Sequence, residues 1–71
     1  MQDKLKQPPV KEGDIVKARV KGFGAKNDPF VNVGNYIIFL KDVPEGQLEF
    51  DQGVEIKITR VLSSFGFGEL I

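Results

Sequence analysis

Arg60-Val61-Leu62-Ser63-Ser64-Phe65-Gly66-Phe67-Gly68-Glu69-Leu70-Ile71 closes the chain, and its second half alternates strictly. Side chains of a strand point to opposite faces with period two. Phe65, Phe67, Glu69 and Ile71 therefore share one face, and Gly66, Gly68 and Leu70 share the other. Burying the charge of Glu69 without a partner is costly, which makes its face the wet one and puts two phenylalanines on it. Glycines on the opposite face suit a tightly curved inner wall, as in a small barrel. Two rings on a wet strand form a stacking platform for unpaired bases. The alternative is that both rings are core and Glu69 lies past the buried part of the strand.

Upstream of it, Val54 to Leu62 is the clearest strand. Val54, Ile56 and Ile58 face in, and Glu55, Lys57 and Thr59 face out. Arg60 falls on the inward parity, so it must lie beyond the buried section or after a bend. Ser63-Ser64 turns the chain into the closing strand. Ile15 to Lys21 alternates as well, with Val16, Ala18 and Val20 inward and Lys17, Arg19 and Lys21 outward beside Ile15. Three cations on one strand face are either the edge of a basic patch or an ordinary solvated face. Phe30-Val31-Asn32-Val33 and Tyr36-Ile37-Ile38-Phe39-Leu40 are β-branched and aromatic runs joined by Gly34-Asn35, a hairpin signal. Tyr36, Ile38 and Leu40 share one face of the second run; Phe39 can join Tyr36 on one surface only through a bulge or strong bend.

The segments between are turns and loops. Residues 1–7 read as a flexible tail, and Pro8-Pro9 stiffens the entry to a single domain over 8–71. Gly13-Asp14 supplies a turn before the first strand. Gly22 to Pro29 reads as a loop, because two glycines and a proline continue a ladder poorly. Lys41 to Gly53 is the longest irregular piece, with Leu48 and Phe50 expected to anchor it to the barrel end. Alternation does not orient Phe23, Phe30 or Phe50. The sum is all-β: five strands without a helix, a small closed or nearly closed antiparallel barrel. Closure also removes exposed strand edges.

A chain of 71 residues with no cysteine and no histidine has neither a disulfide nor the usual general base and zinc ligand. Ser63 and Ser64 lack a histidine to activate them, and no phosphate-loop, dinucleotide or calcium-loop spacing is present. A non-enzymatic protein without metal or cofactor is expected. No apolar run approaches the roughly 20 residues of a membrane span, so a cytoplasmic protein without membrane contact, monomeric by default, is expected too. Met1 and Ile71 read as the ends of a stand-alone chain rather than of a detached enzyme domain. Ten basic and ten acidic residues cancel, so a polyanion site must come from how charges are distributed.

What the sequence does offer is a surface combination. Phe65, Phe67, Tyr36 and Phe39 are candidate stacking aromatics. Lys17, Arg19, Lys21 and Arg60 are candidate phosphate contacts, with Lys26 and Lys57 nearby in the chain. Stacking on aromatics contributes about 1–3 kcal/mol per base, and single-stranded or looped RNA presents splayed bases to such a face. Neutral net charge predicts modest affinity and a shallow salt slope.

Pro8-Pro9-Val10-Lys11-Glu12-Gly13-Asp14, Asn27-Asp28 before a strand, Tyr36-Ile37-Ile38-Phe39, and the segment from Ile58 to Glu69 resemble the TRAM domain, closest to its short stand-alone archaeal form. The resemblance spans about residues 8–71. It implies an OB-like five-stranded barrel that binds RNA and acts as a cold-shock-like RNA chaperone. It also implies that Tyr36, Phe39, Phe65 and Phe67 meet RNA, whether transfer, messenger or ribosomal. Three features depart from the family pattern: Asn27-Asp28-Pro29 where Gly-Asp-Gly is usual, Asn32 where a basic residue is common, and a longer Pro44 to Gly53 loop. A rival reading makes the aromatic patch an adaptor that docks an RNA-modifying or other partner protein.

Overall fold

The computed structural model describes residues 8–26, 28–44 and 46–71. The expected tail, 1–7, lies outside the described residues, as does Asn27. Five strands follow one another: β1 (Ile15–Phe23), β2 (Pro29–Val33), β3 (Tyr36–Leu40), β4 (Gly53–Val61) and β5 (Phe65–Leu70). They close into a barrel in the order β1-β2-β3-β5-β4, with β4 returning to β1. This is an all-β barrel of the OB-like kind. Among the described residues, no helix is long and apolar enough to cross a membrane.

The barrel is mixed, not purely antiparallel. β3 and β5 run parallel, with Ile37 level with Phe65 and Phe39 level with Phe67. The reason is arithmetic: a ring with an odd number of members cannot alternate direction all the way round. Successive strands reverse at each turn, so β3 and β5 point the same way and must meet in parallel.

The inward residues of the alternating strands make the core. Val20, Val31, Tyr36, Ile38, Leu40, Ile56 and Ile58 are buried, joined by Val10 before β1 and Leu48 from the long loop. Val16, Ala18 and Val54 pack against them. The inner wall of β5 carries Gly66 and Gly68 ahead of Leu70, which packs against the core. A Cβ on Gly66 would lie 2.7 Å from the Arg60 carbonyl oxygen and 3.1 Å from the Tyr36 hydroxyl.

Two bulges reset the alternation. In β1 the register jumps between Val20 and Gly22, so the strand runs on through Gly22 and Phe23, which the sequence assigns to a loop. Pro29 opens β2, a position where a proline without an N–H is tolerated. In β4 the jump falls between Ile58 and Arg60. Thr59 is the extra residue, and Arg60 returns to the outer surface, where it is exposed. The turn between β2 and β3 has positive φ at Gly34, +64°, and not at Asn35, the pattern of a II′ hairpin.

The long loop is held by Leu48, buried as expected, and by backbone bonds from the Asp51 N–H to the Val20 carbonyl and from the Val20 N–H to the Gln52 carbonyl. Phe50 does not anchor it. Its side chain is 67% exposed, because it occupies the corner of a turn closed by the Gln52 N–H on the Glu49 carbonyl.

Candidate nucleic-acid interface

β5 sends Phe65 and Phe67 outward, since Gly66 and Gly68 take the buried face. β3 lies beside it and sends out Phe39, and β2 lies beside β3 and sends out Phe30 directly opposite Phe39. Four half-buried phenylalanines thus form one surface cluster. Phe39 is its hub, with ring centroids 5.8 Å from Phe30, 5.8 Å from Phe65 and 6.3 Å from Phe67. Phe65 and Phe67 close it at 5.5 Å, edge to face. Such aromatic pairs contribute about 0.5–1.5 kcal/mol each beyond their buried area, so the rings hold one another in place before any ligand arrives. At the far edge the Phe30 ring lies over Gly22, where a Cβ would come within 2.8 Å of it.

Cations border this cluster. The Lys41 ammonium stands 5.5 Å from the Phe67 ring centre, a cation–π position. Its backbone N–H donates to the Gly68 carbonyl, which fixes the residue at the end of β3. Arg60 is level with Phe67 on the other side of β5. Lys21 is the extra residue of the β1 bulge, exposed beside Gly22.

Three further cations of β1 and β4 face acidic residues. Lys17 stands opposite Glu55 in the β1–β4 ladder, and Lys57 opposite Glu69 in the β4–β5 ladder. The Arg19 guanidinium donates to the Asp51 carbonyl at 2.9 Å and approaches its carboxylate at 3.9 Å. β1 and β4 form the seam across the barrel from β3, so Lys17 and Arg19 are not brought to the aromatic cluster. Each also has an acidic neighbour that offsets its charge.

Tyr36 is also separated from the cluster. It is buried, 6% exposed, on the inward parity shared with Ile38 and Leu40. Its hydroxyl lies within hydrogen-bonding distance of the Leu62 and Phe65 carbonyls, donating its one proton to either, and accepts from the Leu62 N–H at 3.1 Å. Tyr36 thus anchors the turn that delivers Phe65, rather than offering a ring to solvent. No bend brings it to the side of Phe39.

Phe39, Phe65, Phe67, Arg60 and Lys21 are therefore placed together or at the rim, while Tyr36, Lys17 and Arg19 are not. Phe30 and Lys41 complete the surface, and sequence reasoning did not find them. Phe30 carried a usable signal, since it stands opposite Phe39 once the Gly34-Asn35 hairpin fixes the register. Lys41 carried none, because it heads an irregular segment. Phe23, 42% exposed, pairs with Pro29 at the end of β1.

No family model matches the chain. It is 34% identical over 61 residues, 86% of its length, to the ribosomal RNA large subunit methyltransferase E of Haloarcula marismortui. An uncharacterized protein of Methanocaldococcus jannaschii is 32% identical over 63 residues, 89% of this chain and 75% of that protein. Translation initiation factor 2 subunit beta of Methanothrix thermoacetophila is 24% identical over 62 residues, 87% of this chain. The chain spans 21% of the methyltransferase and 27% of the initiation factor subunit.

Proposed function

The chain belongs to the same family as the Methanocaldococcus jannaschii protein, and from that premise we propose that it is a non-enzymatic RNA-binding module of the short TRAM type. It works as a monomer in the cytoplasm, holding unpaired RNA with little sequence preference and so acting as an RNA chaperone. The observation that carries this reading is the cluster of Phe30, Phe39, Phe65 and Phe67, bordered by Lys41 and Arg60. Aromatic faces stack bases of any identity, and the cations beside them meet phosphates. Two relatives bear the names of a ribosomal RNA methyltransferase and a translation initiation factor subunit, which supports an RNA-related role.

Chaperoning needs no catalysis. A ligand that binds only the unpaired form of an RNA shifts the equilibrium toward that form. The test is fluorescence anisotropy with a labelled unstructured RNA and a hairpin of equal length, at low and at physiological salt. Tighter binding to the unstructured strand, weakening with salt, is expected. Phe67→Ala should weaken that binding by roughly 1–3 kcal/mol while the domain stays folded. If neither RNA binds at micromolar protein, the reading fails and the patch is a protein-docking surface instead.

A further inference from the structure

At the Phe65 end of the aromatic cluster the surface falls into a recess of about 620 Å³. It starts at Ser64, the residue before Phe65. Its walls come from three separate parts of the chain: Pro8 and Pro9 before β1, the β2–β3 hairpin turn with Asn35 and the edge of Tyr36, and the β4–β5 turn with Ser63 and Ser64. The size falls within the range of small-ligand sites, about 300–1,000 Å³.

Among the described residues, the lining holds no charged side chain. A recess on the β1–β4 seam is lined instead by Lys17, Arg19 and Glu55. Proline rings offer flat apolar contact, whereas the Asn35 amide and two serine hydroxyls offer both donors and acceptors. The Tyr36 hydroxyl is already engaged with Leu62 and Phe65, which leaves Asn35, Ser63 and Ser64 to read a ligand. A neutral planar group with a polar edge matches this lining, and a phosphate or metal ion does not. Unpaired nucleobases are such groups, and the strand stacked on Phe65 would deliver the next one here.

We propose that this recess is a base-reading subsite, taking the nucleotide adjacent to the one stacked on Phe65 and giving a mostly non-selective surface a preference at one position. The proposal rests on the RNA-binding reading above. A side-chain amide making two bonds to a base edge is a well-defined means of telling bases apart.

The test is anisotropy titration of the full chain with labelled octamers of A, U and C, using wild type, Asn35→Ala, the double variant Ser63→Ala/Ser64→Ala, and Phe67→Ala. Wild type should favour one octamer by about fivefold or more. Asn35→Ala or the serine double variant should bring the three affinities within about twofold of one another, with binding retained and the thermal midpoint unchanged. Equal wild-type affinities, or a preference that survives both sets of changes, would overturn the subsite. If Phe67→Ala weakens binding while these outcomes hold, the aromatic surface stands and only the subsite falls. If Phe67→Ala leaves binding unchanged, or no octamer binds, the surface reading has failed and the subsite goes with it.

Discussion

Arg60 stands opposite Phe67 in the β4–β5 ladder, on the same outer face of the barrel. Thr59 is the cause. As the extra residue of a bulge it carries Arg60 from the inward to the outward parity, and its hydroxyl donates to the Phe67 carbonyl at 3.3 Å. Bulges commonly re-aim a side chain in this way. Here the effect is to put a guanidinium beside a stacking ring.

Arg60→Gln should therefore reduce the salt dependence of RNA binding. Each phosphate neutralised on a single strand contributes about 0.7 to the log–log slope, so the slope should fall by about that amount. Lys17→Gln removes the same formal charge from the far side of the barrel, where Glu55 stands opposite, and should leave the slope unchanged. Titrations at four salt concentrations would settle it. Equal slope losses in the two variants would mean that total charge, not its placement, governs binding.

The contrast between Arg60 and Lys17 also marks what the sequence could disclose. Strict alternation favoured an outward Phe65 and Phe67, because the charge of Glu69 shares their face and a glycine wall the other, and the structure takes that orientation over a pair of core rings. Alternation also put Tyr36 on one face with Ile38 and Leu40, but it did not say which face is buried, so Tyr36 stood as a stacking candidate that the structure turns inward. The bulge at Lys21 leaves no local trace, since one inserted residue reads as one more step of the period, whereas the bulge at Thr59 shows only as a charged Arg60 on the inward parity. The parallel meeting of β3 and β5, which brings Phe39 to Phe67, depends on closure of the whole ring. Lys41 follows from that meeting, so it could not be read from its neighbours in the chain.

Tyr36→Phe should separate anchoring from contact. The change removes the hydroxyl that accepts from the Leu62 N–H and donates to a carbonyl across the turn. The Leu62 N–H still donates to the Phe65 carbonyl at 2.9 Å, so the change costs a net hydrogen bond at a part-buried site, about 0.5–1.5 kcal/mol. Urea unfolding should show that loss, while the affinity of the folded protein for unstructured RNA stays within about twofold of wild type. The opposite result, intact stability with affinity reduced as for Phe67→Ala, would make Tyr36 a contact residue after all.

Gly66→Ala tests whether the glycine wall of β5 is what seats the aromatic face. The added methyl would meet the Arg60 carbonyl at 2.7 Å and the Tyr36 hydroxyl at 3.1 Å. The first obstacle is backbone and can yield only by parting β4 from β5, the pairing that also sets Arg60 against Phe67. Overpacking of this kind costs about 1–3 kcal/mol. For a domain of this size each kcal/mol lowers the melting temperature by about 4–8 °C. Gly53→Ala is the matched control, because a Cβ at Gly53 meets nothing within 4 Å. Thermal unfolding should thus show a drop for Gly66→Ala and almost none for Gly53→Ala, with RNA affinity lost in step in the first variant only. A Gly66→Ala protein as stable as the control would show that the barrel has room at β5, and that the outward pose of Phe65 and Phe67 is set by the aromatic contacts alone.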